Sequence, residues 1–137
     1  MAESREDLVK WSLEKAEEYL SSSKENLGEG RLFVAAEEIF RAIETSLEAM
    51  LFQEGVTKIS YPGREKEFVG RLALQFLVRD NLVRKAVIST ADYDKYLAYA
   101  SALHQAGYKY GSFEEKKLEE ALAYAEDLFH RALARKK

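Results

Sequence analysis

The sequence predicts an all-α protein, an up-and-down bundle of four to five helices. Three observations predict it. Proline occurs once in 137 residues, at Pro62. The glycines, at 28, 30, 55, 63, 70, 107 and 111, fall mostly between helical patterns rather than within them. Apolar residues recur at i, i+3 and i+4 through most of the chain, the spacing of one face of a helix.

The first helix is expected from about Glu6 to Ser23 or a little beyond. Ser4 is its N-cap, and Glu6 and Asp7 suit the positive helix end. Leu8, Trp11, Leu13, Ala16, Tyr19 and Leu20 supply its apolar side. Gly28 and Gly30 flank the exit. The second helix, about Arg31–Glu54, carries a continuous stripe of Leu32, Phe33, Ala36, Ile39, Phe40, Ile43, Leu47, Met50 and Leu51. At about 1.5 Å per residue it would span about 36 Å. Gly55 follows as the left-handed residue after its end. Val56–Gly63 reads as a loop, and a third helix is expected over Arg64–Arg79, broken at Asp80-Asn81. Residues 82–88 are either a helical turn or a short extended piece. Ser89 and Asp92 form a loose capping box for a fourth helix, about Ala91–Ala106. Ser112 caps a fifth, about Phe113–Ala134. Leu118, Ala121, Leu122, Ala125, Leu128, Phe129, Ala132 and Leu133 form its stripe.

The length suits one domain covering residues 1–137, and no linker composition divides it. There is no cysteine, which excludes disulfides, thiolate zinc sites and a cysteine nucleophile. No apolar run approaches a membrane span, and MAESREDLVK has no signal-peptide core, so the expected location is cytoplasmic. The formal net charge is −3, but it is unevenly distributed. Residues 1–55 carry 6 basic and 13 acidic side chains, and residues 56–85 carry 7 and 3. The basic middle block is either a solvated face or an anion and RNA-backbone contact.

Enzyme signatures are sparse. The two histidines have no Glu-x-x-His spacing, since Ser101 and Asp127 stand three residues before His104 and His130. No G-x-S-x-G, Walker or dinucleotide-binding glycine pattern occurs. The carboxylate pairs Glu17/Glu18, Glu37/Glu38, Glu114/Glu115 and Glu119/Glu120 read as solvated faces. No metal or cofactor is expected. The stretch Thr90–Gly111 stands apart. It holds five of the eight tyrosines, and Tyr93, Tyr96, Leu97, Ala100, Leu103, His104, Gly107 and Tyr108 share one helical face. A histidine there is either a hydrogen-bonded packing residue or an acid–base group in a cleft.

The run LEKAEEYLSSSKENLGEGRLFVAAEEIFRAIETSLEAMLFQEGV resembles the first two helices of HEPN domains. The later run ALHQAGYKYGSFEEKKLEEALAYAEDL resembles the archaeal PaREP branch of that superfamily, through Leu103, His104, Gly107 and Tyr108 ahead of the last helix. The resemblance implies a four- or five-helix up-and-down bundle, commonly a homodimer. Many HEPN domains are metal-independent endoribonucleases. Others bind RNA or nucleotides, or partner a nucleotidyltransferase in toxin–antitoxin pairs. Their active site is an Arg-x4–6-His motif at the dimer interface. His104 corresponds to the histidine. Tyr99 stands at the arginine's place for the shortest spacing, and no arginine occurs between Arg84 and Arg131. Without a guanidinium, a developing phosphorane loses its main electrostatic support.

The expectation is therefore a non-catalytic, homodimeric binding module for RNA, a nucleotide or a protein partner, with no membrane association. The apolar stripes on five helices exceed what two neighbours need, which also suggests a dimer. Expected binding residues are Tyr96, Tyr99, Lys95, Gly107 and Tyr108, with Arg71, Arg79 and Arg84 on the preceding segment. The alternative is a metal-independent ribonuclease of toxin–antitoxin type with a variant site around His104.

Overall fold

The computed structural model describes residues 4–56, 59–61, 64–66, 71–108 and 115–135, with side chains except at 59–61, 64–66, 71, 72 and 103–108. The fold is an all-α helical bundle. Its helices are α1 (Arg5–Gly28), α2 (Leu32–Gln53), α3 (Arg71–Val78), α4 (Thr90–Tyr108) and α5 (Glu115–Ala134).

α1 begins as its sequence indicates. Ser4 Oγ accepts from Asp7 N at 3.1 Å, satisfying one of the open donors of the first turn. The helix runs on through Gly28. At its end Gly30, with φ 76°, lets Gly30 N reach Leu27 O and Arg31 N reach Asn26 O. This pair of bonds is the Schellman closure, which needs a left-handed residue. Gly55, with φ 84°, closes α2 in the same way, with Val56 N bonded to Leu51 O at 2.9 Å.

α1 and α2 run antiparallel. Near the turn, Glu38 accepts from Asn26 Nδ2 at 2.6 Å and from Ser22 Oγ. At the far end, a Cβ on Gly55 would sit 3.9 Å from Arg5 Nη1. α5 packs against both helices. It ends beside the end of α2, where Gln53 Nε2 donates to Ala132 O at 2.9 Å. α4 runs the opposite way along α5. Asp92 near its start meets Arg131, and Tyr99, two turns on, meets Tyr124. The core is the space between α1, α2 and α5, floored by Leu74, Val78, Leu82 and Ile88 and flanked by Tyr96.

The core mixes small and large side chains. On α2, Ala35, Ala42 and Ala49 are fully buried beside Leu47 and Leu51, as are Ala16 on α1 and Ala125 and Leu128 on α5. Three residues expected in the stripes are exposed: Trp11 at 44%, Phe33 at 56% and Leu133 at 44%. The helical angle explains two of them: Trp11 lies about 200° round from buried Val9, and Leu133 about 140° off Leu128. Phe33 lies close in angle to buried Phe40 but stands in the first turn of α2.

The middle of the chain departs from expectation. Residues Ile59–Tyr61 and Arg64–Lys66 are strands β1 and β2 of an antiparallel hairpin, with Ser60 opposite Glu65. The loop expected over Val56–Gly63 and the helix expected from Arg64 are both corrected by it. β-branched and aromatic Ile59 and Tyr61 favour an extended chain before the Pro-Gly pair. Helix α3 begins only at Arg71. Asp80-Asn81 does not end the helical path. The chain widens there into a π-helical turn, Arg79–Val83, in which Arg84 N bonds Arg79 O at 3.1 Å. The path then closes with Ala86 N on Val83 O and Val87 N on Leu82 O, the third Schellman closure. Its left-handed residue is Ala86, with φ 59°, rather than glycine.

That position is strained, because a Cβ in the left-handed region costs about 1–2 kcal/mol. Ala86→Gly removes the clash and adds back chain entropy in the unfolded state. The variant is expected to be more stable by about 0.5–1 kcal/mol. Urea melts at constant m-value check it, and an unchanged or lowered midpoint would count against the strain.

The capping box at α4 is present: Asp92 N donates to Ser89 Oγ at 3.0 Å, and Ser89 N donates to Asp92 Oδ2 at 3.1 Å. The helix continues past Ala106 through Gly107 to Tyr108. Ser112, expected to cap α5, lies outside the described residues.

Candidate functional site

The start of α4 supplies one charged cluster. Asp92 sits one turn into the helix, held by its cap bonds to Ser89. Arg131, four turns along α5, lays both terminal nitrogens on the Asp92 carboxylate, at 2.9 and 3.0 Å. Its Nη2 also reaches Asp127 at 2.8 Å. The Asp92 side chain is 15% exposed. The Arg131 guanidinium, with Ser89 helping, holds the Asp92 carboxyl well below the usual carboxylate range, and Asp92 in turn raises the arginine. Tyr124 Oη donates to the Asp92 carbonyl at 2.9 Å. Burial pushes the Tyr124 phenol upward, with the Asp92 charge adding to it, so it stays protonated as a donor.

Of the residues expected on α4, Lys95, Tyr96 and Tyr99 can be placed. Tyr96 is fully buried and stacks on Phe40 of α2, with ring centroids 5.9 Å apart and planes 17° apart. The side chain expected to bind a ligand is thus a packing element in this chain. Tyr99 is half-buried against Tyr124, and burial raises its phenol. Lys95 is exposed and lies 5.3 Å from the centroid of the Tyr124 ring, a cation–π contact. Tyr93, expected on the same face, donates to Gln75 O at 3.2 Å and so ties α4 to α3. His104, Gly107 and Tyr108 lie on α4, and their side-chain surroundings lie outside the described residues, as do those of Arg71 on α3.

Arg79 and Arg84 are placed by the π-helical turn. Arg79 Nε donates to Asp80 at 2.9 Å, and its guanidinium lies 5.1 Å over the Phe76 ring. Arg84 is 77% exposed and reaches Asp80 at only 4.0 Å. The Arg79 guanidinium lowers the Asp80 carboxyl. Two further cations, Lys85 and Arg135, share Glu54. Lys85 stands 4.0 Å from Glu54, and Arg135 also binds Glu54. Arg135 stands in sequence before Lys136 and Lys137, while its partner Glu54 is 81 residues away.

The carboxylate pairs are not all solvated. Glu38 is held at the α1–α2 turn. Separately, Glu48 on α2 is half-buried and its carboxyl is pushed up to about 7, by burial first and by Glu44 second, with Lys15 of α1 opposing. The folded chain therefore keeps a proton between about pH 4.5 and 7 that the unfolded chain releases. The Glu48 contribution to stability should be most favourable below that window, fall as pH rises through it, and level off above 7. Glu48→Gln is expected to gain about 1–2 kcal/mol at pH 8 and nothing at pH 4, after discounting for partial exposure. Thermal melts across pH check this, and parallel curves for both proteins would refute it.

Among the described residues, no group of three or more His, Cys, Asp or Glu side chains could hold a metal ion. None of the helices described is long and apolar enough to cross a membrane. Glu126 pairs with Lys24 at 2.8 Å, and His130 is exposed beside Phe129.

A helical bundle with a short hairpin between its second and third helices, and with charged side chains gathered where α4 and α5 meet, defines the class. The chain belongs to the archaeal PaREP1/PaREP8 family, whose model matches residues 12–129. No curated protein matches it.

Proposed function

We propose that this chain is a HEPN-like, homodimeric binding module that engages RNA without cleaving it. The observation that carries the reading is the commitment of Arg131. Arg131 faces α4 from α5 and is held in ion pairs to Asp92 and Asp127. A guanidinium fixed in this way serves helix packing and is not poised to stabilise a phosphorane. Tyr99, in the place where a catalytic arginine would precede His104, packs on Tyr124. The exposed cations Arg84, Lys95 and Arg79 suit phosphate contacts, and RNA is favoured over a nucleotide or a protein partner because they are spread over two segments.

The test measures binding and cleavage together. Labelled single-stranded RNAs are incubated with wild-type protein and with His104→Ala, without divalent metal. Binding without cleavage by either protein is expected. Cleavage by wild type that disappears in His104→Ala would establish the ribonuclease alternative instead. Light scattering should give a dimer at micromolar concentration, and a monomer would remove that part of the reading.

A further inference from the structure

We propose that the β1–β2 hairpin is a ribbon for single-stranded RNA, with Tyr61 as the platform for a stacked base and Arg64 and Lys66 as phosphate contacts. This rests on the RNA-binding reading above and gives it a place on the chain. The two strands form a sheet of their own, with no third strand among the described residues. Their register sets Ile59 opposite Lys66, Ser60 opposite Glu65 and Tyr61 opposite Arg64. Cross-strand partners share a face, and neighbours along a strand alternate between faces. Ile59, Tyr61, Arg64 and Lys66 therefore stand on one face, and Ser60 and Glu65 on the other.

This sorting decides what the hairpin can do. A ribbon laid on a helical core needs one apolar face. Here the face with Ile59 and Tyr61 also holds both cations, and the opposite face holds Glu65. Laying either face on the bundle would bury charge, which is costly unless each charge is paired. In keeping with this, neither strand packs along a helix among the described residues. A two-stranded hairpin by itself is marginal in water. A ribbon of this kind gains most from a partner that covers one of its faces.

The class of partner follows from the same four positions. The edges are poor docking sites, since strands of three residues offer few open backbone groups to an added strand. The mixed face is the better one. Arg64 and Lys66 are two positions apart on β2, about 7 Å along the strand, so successive phosphates of one chain can meet them in turn. Tyr61 stands directly across from Arg64, so a base contact and a phosphate contact come from adjacent positions. An aromatic platform with cations alongside is the means by which single strands are held without reading their sequence. A duplex keeps its bases stacked inside and offers Tyr61 none. Glu65, the one acid in the two strands, stands on the far face, where it does not oppose the phosphates.

The experiment titrates the full chain with a labelled single-stranded RNA of about 20 nucleotides, from about 50 to 200 mM salt. Tyr61→Ala should weaken binding about 5-fold or more at an unchanged salt slope, because a stacked base carries no counterion. Tyr61→Phe keeps the ring and should stay within about 2-fold of wild type. Arg64→Gln/Lys66→Gln should make the slope of log K against log salt shallower by about 1.4, two phosphates at about 0.7 each. Ser60→Ala/Glu65→Gln, on the opposite face, should bind at least as tightly as wild type. If wild type fails to bind RNA at the lowest salt, the RNA-binding reading fails and the hairpin's role goes with it. If wild type binds but the Tyr61→Ala and Arg64→Gln/Lys66→Gln variants match it, the placement is wrong while RNA binding stands. A loss in Tyr61→Phe equal to that in Tyr61→Ala would overturn stacking. Helical circular dichroism is followed through melting for every variant. A clearly lowered midpoint in Tyr61→Ala or in the double cation variant would mean that this face packs on the bundle, and it would overturn the inference.

Discussion

Tyr96→Ala is expected to lower stability by about 3–5 kcal/mol, the range for truncating a large aromatic in a packed core. For a chain of this size that corresponds to a melting temperature lower by roughly 10–20 °C. Tyr96 has no exposed surface and stacks on Phe40, with Tyr93 edge-on at 6.3 Å. Alanine would leave a void between α4 and α2 that the helices cannot close, because α4 is also held at Asp92 and Tyr93. Tyr96→Phe keeps the ring and should stay within about 1.5 kcal/mol of wild type. Denaturant unfolding of both variants separates ring packing from the hydroxyl. Equal losses would mean that the hydroxyl, and not the stacked ring, holds the helix.

Arg131→Met is expected to cost about 2–3 kcal/mol. Removing one partner of a buried ion pair typically costs 3–5 kcal/mol. The discount here reflects the 36% exposure of Arg131 and the cap bonds from Ser89 that Asp92 retains. The sign of the pH dependence follows from the depressed Asp92 carboxyl. Its contribution is fully present above the unfolded value near 4 and is lost as pH falls through the folded value. The gap between wild type and Arg131→Met should therefore be constant from pH 5 to 8 and shrink below pH 4. A gap that persists undiminished at pH 2 would assign the effect to lost packing of the arginine stem rather than to the ion pair.

These two residues show how far reading along the chain can reach. Tyr96 was legible as part of an aromatic face, because helical spacing is local. That Phe40 would meet it was not legible, since the two lie 56 positions apart and only the packing of α4 on α2 joins them. Asp92 was legible as part of a capping box, and Arg131, in the last turn of α5, suits the negative helix end. Both local roles leave a charge unsatisfied, and nothing in their spacing says that one satisfies the other. The middle segment failed differently. Apolar content over 64–79 fits a helix, but the extended preference of Ile59 and Tyr61, whose strand pairs antiparallel with Arg64–Lys66, drew those residues into a strand. Asp80 and Asn81 looked like a stop. Instead, Asn81 Nδ2 donates to Leu77 O at 3.1 Å, a side-chain bond that lets the helical path widen and continue.

By itself the sequence determined the helical class, the stripes of α1, α2 and α5, the caps at Ser4 and Ser89, and the left-handed turn at Gly55. All of these depend on residues within a few turns of one another. It also showed that the arginine five residues before His104 is absent. Only the tertiary structure decided that Tyr96 stacks on Phe40, that Arg131 is committed to Asp92, and that Lys85 and Arg135 share Glu54. The reason is physical: helix periodicity and capping are set by short-range backbone geometry. Which charges neutralise one another depends on helix packing, which brings together residues far apart in the chain.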